Sequence, residues 1–264
     1  MLSIISASKS LDLNKNQATK KYSLPVLSAE ATALVEKLKE FDVTQLTKIM
    51  NVSYGIAEAN SESFRKWQKE FSPENSITAM TAFTGDSFES IDTKQFTEKD
   101  FDFAQGHVRI LSGLYGILKP LDLIRPYRLD ITSKIKTSRG KNLCDFWSDA
   151  VTDNLNQELS DHSDRIILNL ASTDYFKVIN KDKFEGRIIN VTFREIEQGH
   201  IPRVVSYYSK LSRGLMCSTI IKNEINDLKD LKEFDANGYK YNMRASESDK
   251  LVFDRICSDC NHEC

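Results

Sequence analysis

The chain has 264 residues, enough to bury a substantial core, and its 40% hydrophobic and 28% charged content excludes disorder and fibrous repeats. Its longest apolar runs, such as Ile166-Ile167-Leu168, span only a few residues. A bilayer-spanning helix and a signal peptide are both excluded on that ground, and a cytoplasmic protein is the expectation. With a net charge of −2 the molecule lacks the positive balance of a histone-like binder, so any site for a polyanion has to be local.

Leu2 to Ser6 reads as a short buried strand ending in the polar turn Ser8-Lys9-Ser10. Ser28 is placed to cap a helix bearing Ala31, Leu34, Val35 and Leu38, and Phe64 and Trp67 share a face of a later one. Beyond Pro73, Ala79 to Phe83 is strand-like and Thr84-Gly85-Asp86 has turn chemistry. Thr97 followed by Asp100 matches a capping pattern, which predicts a helix running to about Leu111 and ending at Ser112-Gly113. Asn142 is placed to cap a helix carrying Phe146, Ala150, Val151 and Leu155. Arg165 to Ala171 reads as a buried strand. Arg187 to Arg194 and Ile201 to Tyr208 read as a hairpin around Gly199, and a helix follows from Ser209 to about Asn226. Tyr239 to Tyr241 and Leu251 to Phe253 suggest a last small hairpin. Strands and helices interleave without regular alternation, which predicts a single-domain α/β (mixed α+β) fold with a mixed sheet flanked by helices.

Charge is distributed unevenly along the chain. Gln105 to Lys141 holds eight basic residues against Asp122 and Asp130, and Gly199 to Lys222 holds Arg203, Lys210, Arg213 and Lys222 with no acid. From Asn223 onward ten acids outnumber six bases. An anionic ligand bound by the middle of the chain is the natural reading.

The blocks FDFAQ, LSGLYGILKPLDLIRPYRL, RGKNLCDFW, ILNLAS, DYFK and SKLSRGLM follow one another between Phe101 and Met216. In order and spacing they resemble the signature blocks of the YaaA family of peroxide stress proteins, and the resemblance runs from Met1 to about Arg255. It implies an α/β fold with a positively charged cleft, a helix-hairpin-helix element, DNA binding of low sequence specificity and a role in limiting peroxide damage. Residues 1–256 are then one YaaA-like domain, and 257–264 a Cys-rich tail without order.

The residues themselves add candidates. Gly113 and Gly116 in a hairpin would let backbone amides approach a phosphate, with Arg109, Lys119, Arg125 and Arg128 beside it. Both glycines equally read as helix terminators, and the arginines as partners of nearby acids. Lys9 follows a strand end, where an anion ligand is well placed, and Ser6-x-x-Lys9 is a weak match to an activated-serine motif. Lys177, behind the Arg165 to Ala171 strand with Ser172, Asp174 and Tyr175, and the Lys210/Arg213 pair complete the candidate anion-binding set. Each would also pass as an ordinary surface charge.

Cys257, Cys260, His262 and Cys264 crowd into eight residues, whereas structural zinc sites join separated ligand pairs. No metal and no cofactor are expected, and Cys144 and Cys217 read as core residues. Two functions lead, with a metal or redox sensor built on the C-terminal thiols as a weaker third. One is a DNA-binding stress protein needing no covalent chemistry. The other is an enzyme acting on a phosphate-bearing or nucleotide-like small molecule, with Lys9, Asp130 or Tyr175 moving protons. Oligomeric state is left open.

Overall fold

The computed structural model describes residues 1–15, 17–197 and 199–256; the Cys-rich tail expected beyond Ile256 lies outside them. The N-terminal apolar run forms β1 (Leu2–Ser6), buried along most of its length. Helices α1 (Ser28–Lys39), α2 (Val43–Met50) and α3 (Tyr54–Arg65) follow. In α1, Ala31, Leu34, Val35 and Leu38 turn inward on one helical face. Ser28 is its first residue, however, and not its cap, which is Leu27.

The stretch read as a strand over 79–83 becomes β2 (Ile77–Thr78) followed by a single helical turn, α4 (Ala79–Ala82). Ala79, Met80 and Ala82 are strong helix formers, and local propensity prevails there. After α5 (Asp86–Ile91) and a 3-10 turn at Thr93–Gln95, α6 (Glu98–His107) starts where the capping pattern puts it. Thr97 accepts from the Asp100 amide, and the Asp100 carboxylate accepts from the Thr97 amide.

α6 ends at His107, four residues early, and the chain runs directly into β3 (Val108–Ser112). It turns back into β4 (Gly116–Leu118), antiparallel to β3. The predicted helix to Leu111 and the helix-hairpin-helix are thus corrected to a β-hairpin. A run as short and apolar as Val108 to Leu111 has no periodicity that separates helix from buried strand, and pairing with β1 decides the matter.

The rest of the chain supplies β5 (Leu123–Ile124), α7 (Leu143–Leu159), β6 (Ile166–Asn169), α8 (Thr173–Phe176) and β7 (Arg187–Ile196). It closes with α9 (Ser206–Lys222), α10 (Leu228–Leu231), β8 (Lys240–Tyr241) and β9 (Lys250–Ile256). Asn142 caps α7 by accepting from the Asp145 amide. The hairpin expected after β7 shrinks to one bridge, Glu195 with Arg203, because α9 already begins at Ser206. The last small hairpin forms as β8 on β9.

Seven strands make one sheet in the order β4-β3-β1-β6-β7-β9-β8. The five inner strands are parallel, and the antiparallel β4 and β8 lie at the two edges. This is the expected mixed sheet flanked by helices in a single domain, with β2 and β5 as a separate antiparallel pair. Among the described residues no helix is long and apolar enough to cross a membrane.

The order of the strands places the site. From β1 the chain builds outward through β3 and β4 on one side, then returns to lay β6, β7 and β9 on the other. β1 and β6 are therefore the neighbours whose following segments leave in opposite directions. Parallel sheets open a crevice beyond the carboxyl ends of such a pair.

Candidate functional site

A cavity of about 280 Å³ occupies that crevice. Its floor is the end of β1 and the turn after it, Ser6 to Lys9, with Leu170 and Ser172 beyond β6. The two strand ends are tied together: Ser6 Oγ accepts from the Ser172 amide at 2.9 Å and donates to Ser172 Oγ at 3.3 Å. One lip is the segment after Lys9, held against 82–84 by the Thr84 amide on the Ser10 carbonyl (3.1 Å) and the Asp12 amide on the Ala82 carbonyl (2.9 Å). Arg128 reaches the same turn, its Nη1 donating to the Lys9 carbonyl at 3.0 Å.

The far wall is α9 packed on α5. Gly214 makes the approach possible, because a Cβ at that position would stand 2.8 Å from the Ser90 side chain. The close crossing carries Lys210 and Arg213 to the cavity. Gly85, at φ +93°, shapes the loop into α5 and faces the Ser8 hydroxyl.

Three cations, Lys9, Lys210 and Arg213, line the cavity against one acid, Asp86. Lys9 is 3.4 Å from Asp130, and Lys210 is 4.0 Å from Asp86, the limit of an ion pair. Arg213 differs from both. Its Nε is buried with no hydrogen-bond partner among the described residues, and burial lowers its pKa with no neighbouring acid to oppose the effect. A buried guanidinium nitrogen without a partner is costly, and an anion is the kind of group that would supply one.

The groups that could move protons are otherwise engaged. Burial pushes the Asp130 carboxyl up, but hydrogen bonds from the Thr132 amide and hydroxyl and the charge of Lys9 outweigh it, holding the group below its ordinary value. Burial raises the Tyr175 phenol, which stays protonated as a donor. Ser6 and Lys9 do not act as a pair: the serine is spent on Ser172 and the lysine on Asp130.

The remaining candidates divide. Arg128 joins the site through the Lys9 turn, while Lys177 is exposed and paired with Asp174 at 2.8 Å. Arg109 is buried within the fold, its Nε on Glu158 and its Nη1 on the carbonyls of Gln105 (2.9 Å) and Val108 (2.6 Å). Lys119 shares Glu158 at 3.1 Å. Arg125 is buried too, stacked 5.3 Å from the Phe71 ring, with Nη2 on the Glu70 carbonyl at 2.6 Å. Gly113 packs against the Leu129 carbonyl, and Gly116, at φ +69°, lies under the Trp147 ring, where a Cβ would come within 2.6 Å. The structure thus brings together Lys9, Arg128, Lys210 and Arg213, and leaves the hairpin glycines and Arg109, Lys119 and Arg125 apart from the cavity.

Two residues that shape the site, Gly85 and Gly214, are absent from the candidate set. The signal for Gly214 is present in the sequence: a glycine inside a helical run usually marks close packing.

A sequence model described as peroxide stress protein YaaA matches residues 1–245, a span that contains every residue lining the cavity. The chain belongs to the family of peroxide stress protein YaaA.

Proposed function

We propose that the chain serves the general oxidative-stress role of its family by binding a phosphate-bearing ligand in the cavity between β1 and β6. The observation that carries this reading is Arg213, a half-buried arginine whose buried Nε has no hydrogen-bond partner among the described residues, lining a cavity in which cations outnumber acids. The guanidinium fork matches phosphate oxygens in two-pronged geometry. At about 280 Å³ the cavity sits near the lower bound of small-ligand pockets, well short of the space a duplex needs. Asp130 is shifted down and Tyr175 up, both away from neutral pH, which makes the one a weak base and the other a weak acid and favours binding over proton-transfer catalysis.

DNA binding is the second reading, and the observation that favours it is the exposure of Lys9 and Lys210, whose side chains are 64% and 56% accessible at the cavity. Calorimetric titration of the full chain with a mononucleotide and with duplex DNA, over a range of salt, tests both. Binding of the mononucleotide supports the first reading. Duplex binding whose log K falls with log salt by about 0.9 per phosphate contact, with no mononucleotide binding, supports the second. Absence of binding to either overturns both.

A further inference from the structure

Resting on the phosphate reading above, we infer that the site takes a terminal phosphate monoester, on a mononucleotide or at the end of a nucleic-acid strand, and rejects an internal phosphodiester. Arg213 is not displayed on an open face: its Nε is buried, and apolar walls from Ile5, Phe88, Ile91 and Leu170 surround the space it lines. The lip over residues 8–12 is pinned to 82–84 by backbone hydrogen bonds, which hold that side of the mouth in place. A phosphate in mid-strand carries chain on both ester oxygens and would have to thread two arms past that lip. A terminal phosphate has one substituent and enters end-on.

Charge selects in the same direction. A monoester carries close to two negative charges at neutral pH, a diester one. Lys9, Lys210 and Arg213 against Asp86 in the lining and Asp130 on Lys9 leave a net positive charge, which favours the ion with the larger charge. Ser172 adds a donor: its Oγ accepts from Ser6, and its own proton has no acceptor among the described residues. Monoester oxygens outnumber the unesterified oxygens of a diester by three to two, which suits a site offering a guanidinium, a hydroxyl and the ammonium protons that Lys9 and Lys210 do not spend on Asp130 and Asp86.

The test is fluorescence anisotropy on the full chain with one short single-stranded oligonucleotide prepared with and without a terminal phosphate. Adenosine and its monophosphate serve as competitors. The phosphorylated strand is expected to bind about tenfold more tightly, the scale of one charge-assisted contact. The monophosphate, but not adenosine, should displace it. Arg213→Met should erase the preference and Arg213→Lys retain part of it. Since Arg213 Nε has no partner among the described residues, Arg213→Met should not lower the melting temperature, which separates lost binding from lost fold. A strand that outcompetes the monophosphate identifies the strand end as the source, and the reverse identifies the free nucleotide; both support the inference. Equal binding of the two oligonucleotides, unaffected by Arg213→Met, overturns it while leaving a phosphate-binding role intact. Failure of every phosphate compound to bind overturns the phosphate reading as well.

Discussion

Gly214 stands so close to the Ser87 carbonyl that a Cβ added there would lie 2.1 Å from the oxygen. The contact fixes how near α9 comes to α5, and with it the position of Arg213 one residue away. Gly214→Ala gains about 1 kcal/mol of helix propensity but forces side-chain volume against backbone, an overpacking cost of about 1–3 kcal/mol. The steric cost is expected to win. Chemical denaturation should show a net loss of stability, and phosphate affinity should fall with it as α9 is pushed outward. An alanine variant of unchanged stability would mean that α5 gives way freely.

Arg109 is expected to be structural. Arg109→Met removes one partner of a buried pair with Glu158 and strands the Gln105 and Val108 carbonyls. Breaking a buried pair costs about 3–5 kcal/mol, and Lys119, which stays on Glu158, keeps the loss near the lower end. Denaturation midpoints should fall accordingly, while the phosphate affinity of the protein that remains folded should be unchanged. A selective loss of affinity would place Arg109 at the ligand.

Two half-buried histidines tie stability to pH. Burial, with the Met1 amine and Arg109 nearby, holds His107 and His162 below the ordinary histidine value, against partial opposition from hydrogen bonds to Phe103 and Gly106. The unfolded chain therefore takes up these protons first. The stability they contribute is complete above about pH 6.5 and is lost as pH falls from there through the lowered folded values. His107 stacks on Phe103 with 4.0 Å between ring centres. His107→Phe keeps a ring and removes the titration. Its melting temperature should drop less than that of the parent between about pH 7.5 and about pH 5.5. Parallel pH profiles would show that His107 does not couple folding to protons.

Peroxide reacts with thiolates, and Cys217 offers almost none. Burial pushes its thiol up to about 12, and burial likewise raises the half-buried Cys144. Brief peroxide treatment of the native protein followed by mass mapping should leave Cys217 reduced, with oxidation appearing only after unfolding. Rapid native oxidation of Cys217 would contradict its placement in the core.

What was readable in the sequence is what local chemistry decides. The Thr97 and Asn142 caps and the Leu2–Ser6 strand depend on residues within a few positions of each other, and all are in place. The hairpin at Val108 to Leu118 is not legible locally, because its strand identity comes from pairing with Ser3 to Ser6, roughly a hundred residues away. The site divides on the same principle. Lys9, Arg128, Lys210 and Arg213 were recognisable as cations, but which of them would meet a carboxylate is a non-local fact. Glu158 takes up Arg109 from the far end of a helix, Asp130 takes up Lys9, and nothing among the described residues pairs with Arg213.

The position of β1 in mid-sheet also sets an order of assembly. Ser3 pairs with Val108 and Leu2 with Ile167, so the strand that carries Ser6 and Lys9 waits for partners far along the chain. Such long-range parallel pairing is slow to form. The crevice needs still later pieces, since Arg213 arrives only with α9. A half-assembled chain can therefore hold the floor of the cavity without its guanidinium. A ligand bound as proposed would act as an inspector of finished molecules: it would bind only once β1 and α9 have met, and in binding would protect that state from reopening.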